Sequence, residues 1–170
     1  MIGDRWGVTD EEVRRHYPCD DLVTAPVLQA WRGVTVRAST REIWPWMGQI
    51  RLAPYSYDWI DNRGRRSPQE LRGLADPRPG EPFTRSGGRP LGRIVDVQPG
   101  HQLTARIMDA VMSYVLIPTG DTSRLVLKMA VPRGRLRAPF LCVGDLVMAR
   151  RQLLNLKALA ERPIDHQTRP

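Results

Sequence analysis

Four short runs between Leu91 and Val131 constrain the fold more than any other feature of the chain. They are Leu91–Val97, Gln102–Ile107, Val111–Ile117 and Ser123–Val131. Pro99-Gly100, Met108-Asp109-Ala110 and Pro118-Thr119-Gly120-Asp121 separate them, and Gly120-Asp121 suits a tight hairpin. A parallel crossover needs about a dozen residues or more, so connections this short join antiparallel neighbours. In the second run Leu103, Ala105 and Ile107 alternate with Gln102, Thr104 and Arg106. In the fourth, Leu125, Leu127, Met129 and Val131 alternate with Arg124, Val126 and Lys128. Each run therefore presents one apolar face, and that face must be covered.

The cover lies downstream. After a basic break at Pro132–Pro139, residues Phe140–Glu161 read as a helix of about six turns. Its apolar side chains form two stripes. One holds Phe140, Val143, Val147, Leu154 and Ala158, and the other holds Cys142, Leu146, Ala149, Leu153, Leu156 and Ala160. A helix apolar over that much of its girth is expected to be largely covered, as it would be inside a curved sheet. Val27–Arg37, rich in β-branched residues, supplies a further strand. The chain thus reads as one α+β domain: a lead-in over residues 1–26, a sheet-and-helix body over 27–162, and a flexible tail over 163–170.

Within the lead-in, Thr9-Asp10-Glu11-Glu12 is a capping box for a helix running to about His16. Pro18 is expected to stop it, leaving Cys19–Pro26 extended. Between the first strand and the four runs, Ser39 or Thr40 caps a helix over Arg41–Gln49 that must accommodate Pro45. Tyr55–Asn62 reads as a second short helix, and Ser67-Pro68-Gln69-Glu70 as the start of a third through Leu74. Ala75–Pro90, rich in Pro and Gly, reads as a long loop able to act as a lid.

The stretch from Glu42 to Asn62 holds Trp44, Trp46, Trp59, Tyr55 and Tyr57 in a chain otherwise poor in aromatic residues. Clustered rings either fill a core or line a cavity, where a ring face meets an apolar ligand and a phenol or indole N–H orients it. The cavity reading sets Trp46, Tyr55, Tyr57 and Trp59 opposite Leu103, Tyr114, Met129 and the inner stripe of the last helix.

The words Trp44-Pro45-Trp46-Met47 and Pro54-Tyr55-Ser56-Tyr57-Asp58-Trp59-Ile60, followed much later by Leu146–Ala160, resemble bacterial polyketide-cyclase-like proteins of the START/SRPBCC superfamily. The resemblance implies a helix-grip fold, in which a curved antiparallel sheet wraps round a long C-terminal helix, with short helices after the first strand. It also implies a cavity for a hydrophobic small molecule, lipid, sterol or polyketide-like, held by a carrier or sensor. An enzyme of cyclase or dehydratase type is the alternative, folding a flexible ligand and polarising a carbonyl with a Tyr or Arg.

The residues themselves name no reaction. Hydrolase, zincin, P-loop and dinucleotide motifs are absent from the sequence. Cys19 and Cys142 have no metal-ligand or disulfide spacing, and no cofactor or metal is expected. His101, Asp58 and Arg106 are the polar candidates for the cavity. Each has an ordinary alternative, as a turn histidine, a capping carboxylate and a solvated strand residue. The net charge of +8 invites a nucleic-acid or protein partner on an Arg-rich surface. However, the arginines are scattered and carry no recognition motif, so no specific nucleic acid is expected. No leader or membrane span is read, which suggests a cytoplasmic monomer or homodimer.

Overall fold

The computed structural model describes residues 4–132 and 139–162. One seven-stranded sheet runs through it in the order β1-β2-β7-β6-β5-β4-β3. Its strands are β1 (Arg5–Trp6), β2 (Pro26–Val36), β3 (Pro82–Ser86), β4 (Arg89–Gln98), β5 (Gln102–Ile107), β6 (Ala110–Thr119) and β7 (Thr122–Pro132). All neighbours are antiparallel except the two-residue β1, which lies parallel to β2 at one edge. Each expected run is a strand, and the Val27–Arg37 strand pairs with β7 as the sheet closes that side. The turns are as tight as the sequence requires. Gly120-Asp121 joins Thr119 to its partner Thr122, and Met108-Asp109 joins Ile107 to Ala110 with Met108 at φ 48°.

The long helix α5 (Pro139–Ala160) packs across β2 on one face of the sheet, together with α3 (Thr40–Gly48). The core lies between them. Val34, Val36, Leu103, Tyr114, Leu125, Leu127 and Met129 from the strands meet Ile43, Trp46 and Met47 of α3 and Leu153, Leu156 and Leu159 of α5. The result is the α+β helix-grip arrangement: a curved antiparallel sheet, a C-terminal helix held against it, and short helices after the first long strand.

A second apolar cluster sits on the opposite face, where Val111, Val126, Ala130 and Trp31 meet Tyr17, Cys19 and Val23. This cover comes from α1 (Asp10–Arg14) and α2 (Pro18–Leu22). Here the expected extended segment Cys19–Pro26 is corrected. Pro18 does not end a helix; it occupies the first position of one, where its missing N–H costs nothing. The capping box of α1 forms as read, with Thr9 Oγ1 accepting from the Glu12 N–H at 3.2 Å and Glu12 Oε2 accepting from the Thr9 N–H at 2.8 Å. Glu12 also receives both Arg124 Nε and Nη2 at 2.8 Å, which ties α1 to β7. Thr9→Ala should therefore cost about 1 kcal/mol in urea unfolding, the usual value of a cap, while leaving the ion pair intact.

Three other expectations change. The helix foreseen over Tyr55–Asn62 shrinks to α4 (Asp58–Asp61). Ser67-Pro68-Gln69-Glu70 starts no helix, because the Ser67 N–H and hydroxyl both donate to Asp58, at 2.8 and 2.5 Å. Half of the supposed lid at Ala75–Pro90 is sheet, since β3 and β4 form a hairpin over Gly87-Gly88, at φ 56° and 86°. Two successive positive φ angles are what a two-residue hairpin needs, and Gly-Gly supplies them without strain.

The last helix is also less enclosed than its sequence suggests. Among its described side chains, Ala149, Leu153, Leu156 and Leu159 are buried, as is Gln152, whereas Val147 is 51% exposed and Ala158 faces solvent. Among the described side chains one stripe is covered, and of the other only Leu154 packs against the core. Phe140, Cys142, Val143 and Leu146 lie outside the described side chains, and the tail over 163–170 lies outside the described residues.

Candidate functional site: two clefts either side of residues 54–61

The aromatic word Pro54–Ile60 forms a partition, and α5 holds it in place. Gln152 Nε2 donates to the Pro54 carbonyl at 2.6 Å, and Asn155 Nδ2 donates to those of Tyr55 and Ser56 at 2.9 and 3.2 Å. Tyr55 is fully buried and sits at φ 57°, a left-handed conformation that a bulky residue adopts only under constraint. Its hydroxyl accepts from Gln49 Nε2 at 2.6 Å. At the other end, α4 is fastened to the β3–β4 hairpin: the Ser86 hydroxyl donates to the Asp61 carbonyl, and the Gly87 N–H to Asn62 Oδ1.

On one side lies a cleft of about 220 Å3. Phe83 and Leu91 of the hairpin, Ile107 and Met112 of the central strands, and Met148 and Ala149 of α5 give it apolar walls. Tyr114 stacks obliquely near Phe83, with ring centroids 5.9 Å apart, and its hydroxyl donates to Gln152 Oε1 at 2.7 Å. Ser56, Ser86, Gln152 and Asp61 make the polar side.

Asp61 is the unusual group. The Ser56 hydroxyl donates to its Oδ2, whereas its Oδ1 is buried and has no hydrogen-bond partner among the described residues. Burial, reinforced by the negative charge of Asp58, pushes the Asp61 carboxyl up to about 6. A buried acceptor without a donor is costly, and a ligand N–H or O–H would satisfy it.

On the other side of the partition is a polar cleft of about 420 Å3. Tyr57, Trp59, Arg66, Gln69, Arg151 and Arg162 surround it. Trp59 is 75% exposed.

The seven residues read as facing one another across a single cavity do not line one cleft in the structure. Tyr114 lines the apolar cleft, and Tyr55, Tyr57 and Trp59 line the polar one. Trp46, Leu103 and Met129 are buried in the core. Asp58 caps the Ser67 loop, His101 is exposed in a turn, and Arg106 points to solvent. Sequence reasoning missed Asp61 and Gln152. Gln152 left a signal, a polar residue three positions after Ala149 and four before Leu156 on the buried stripe, while Asp61 was hidden among ordinary helix-end carboxylates.

No model of a known protein family matches the chain, and no curated protein does. Solved structures do. Protein MLL2253 from Mesorhizobium loti superposes with a TM-score of 0.53 at 15% identity, over 79% of this chain and 98% of that one. An AHSA1-like protein from Rhizobium etli gives 0.49 at 16% identity, over 84% and 89%. The KanY protein gives 0.48 at 16% identity, over 81% and 99%. At these identities the likeness is one of fold alone, an α+β helix-grip architecture.

Proposed function

We propose that the protein binds a small amphiphilic molecule in the apolar cleft, with the ligand's apolar body against Phe83, Met112 and Met148 and a donor group on Asp61 Oδ1. The observation that carries this reading is the buried carboxylate oxygen, unpartnered among the described residues, in a mainly apolar concavity, since pockets of this composition use a few placed polar groups to orient a ligand. The resemblance to polyketide-cyclase-like proteins points the same way. Size narrows the class. A dry cavity of about 150 Å3 accommodates benzene, so 220 Å3 suits a substituted single ring or a short acyl chain better than a whole sterol.

The test is a thermal-shift and calorimetry panel of alkylphenols, short-chain alcohols, fatty acids and sterols, run on the parent and on Leu91→Trp. A tryptophan at position 91, half-buried at the cleft wall, should fill the space without disturbing the core. We expect an alkylphenol to stabilise the parent and to bind Leu91→Trp at least tenfold more weakly. No shift with any amphiphile, or equal binding by both proteins, would overturn the reading.

Asp61 supports a second use of the same cleft. A carboxyl that titrates near 6 is matched to proton transfer at neutral pH, as a cyclase or dehydratase requires. Exchange of an acidic C–H of a 1,3-diketone into deuterated water, present in the parent and lost in Asp61→Asn, would establish it. Absence of exchange in the parent leaves binding alone.

A further inference from the structure

The polar cleft is lined by three arginines from separate parts of the chain. Arg151 and Arg162 come from α5 and the residues just after it, and Arg66 comes from the loop after α4. On α5, Arg151, Asn155 and Ala158 are spaced four and then three residues apart, and Arg162 follows four later. They share one face. Among the described residues, none of the three arginines is ion-paired. Arg162 donates to the Gln69 carbonyl and Oε1, at 3.2 and 2.9 Å, and Arg151 lies 5.8 Å from the Tyr57 ring centre.

Among the described residues the one carboxylate in the cleft wall is Asp58, and both of its oxygens accept from Ser67. Three arginines against the single charge of Asp58 leave the cleft with an excess of positive charge, and an entering anion reduces their mutual repulsion. Compensation of a helix dipole accounts for Arg162 at most. Arg151 lies more than two turns from the end of α5, and Arg66 belongs to no helix. Beside these charges stands the Trp59 ring, a large apolar surface left mostly exposed among the described residues.

We infer that this cleft is an anion site for a soluble phosphomonoester carrying a flat ring, with the phosphate on Arg66, Arg151 and Arg162 and the ring stacked on Trp59. Guanidinium groups meet phosphate oxygens in bidentate fashion, and a phosphomonoester, with close to two charges, matches three arginines better than a lone carboxylate does. A flat ring on an exposed indole adds stacking. The site is independent of the apolar cleft, from which residues 54–61 divide it.

Adenosine monophosphate, ribose 5-phosphate, inorganic phosphate and phosphatidic acid vesicles serve as probes, read by tryptophan fluorescence and calorimetry at low salt. Adenosine monophosphate should bind more tightly than ribose 5-phosphate, with affinity falling as salt rises. Arg66→Gln and Arg151→Gln should each weaken it at least tenfold while leaving the melting temperature and alkylphenol binding unchanged. Trp59→Leu should weaken adenosine monophosphate and spare inorganic phosphate. The inference fails if adenosine monophosphate does not bind, if the arginine variants bind it as the parent does, or if only the vesicles bind.

Discussion

Asp20→Ala should lower the stability of the folded chain by about 3 kcal/mol, the range expected when one partner of a buried ion pair is removed. Lys128 stands on the polar parity of β7, yet its side chain is only 5% exposed, because α2 lies over it. Its ammonium donates to Asp20 Oδ1 at 2.5 Å and lies 5.5 and 5.1 Å from the ring centres of Tyr17 and Trp31. The rings lessen the cost of the buried charge but do not replace a carboxylate. Without Asp20, an ammonium stays enclosed or drags α2 off the sheet. Lys128→Met alone should cost less, and the double variant Asp20→Ala/Lys128→Met should recover most of the loss, since an apolar side chain suits this cluster. Urea unfolding of all four proteins measures the coupling. Equal and additive losses would show that the pair contributes nothing beyond its separate side chains.

The position of Lys128 also shows what a local pattern can and cannot encode. Alternation placed Gln102–Ile107 as a strand to the residue, and the run from Ser123 to Val131 within one. It also assigned each side chain to the correct face. What lies over the outer face is set by α2, which meets Lys128 across 108 positions of sequence. Periodicity carries no trace of so distant a contact.

The first strand of the edge hairpin was illegible for a different reason. Pro82, Gly87, Gly88 and Pro90 read as loop chemistry, but Pro82 opens its strand and Pro90 precedes the first β4–β5 pair at Arg93–Arg106, where a missing N–H interrupts one ladder at most. The aromatic word, read as one wall of a single cavity, lies between two clefts in the structure. Its residues divide two clefts because Gln152 and Asn155 grip the backbone between the rings.

Asp61 should make stability fall as pH rises between about 4 and 6. Its carboxyl titrates near 6 in the folded protein, against 3.8 for an unperturbed aspartate. Below pH 4 the group is protonated in both folded and unfolded chains and contributes no pH dependence. Between the two values the folded chain holds the proton more tightly, so raising the pH favours unfolding, and above 6 the full penalty is present. Its size is on the order of 2 kcal/mol, after allowing for the partial exposure of the group.

Asp61→Asn keeps an acceptor for the Ser56 hydroxyl and removes the charge. The variant should therefore be more stable than the parent by about that amount at pH 8, with the gap closing toward pH 4. A gap that is the same at both ends of the range, or a variant less stable than the parent at pH 8, would refute the assignment of this titration to Asp61. The same pair of proteins separates stability from recognition. If Oδ1 receives the ligand's donor, Asp61→Asn should gain stability and lose alkylphenol affinity together, because an amide turned to accept from Ser56 presents its NH2 where the ligand needs an acceptor. A variant that is more stable and binds as tightly as the parent would leave Asp61 a buried charge with no part in holding the ligand.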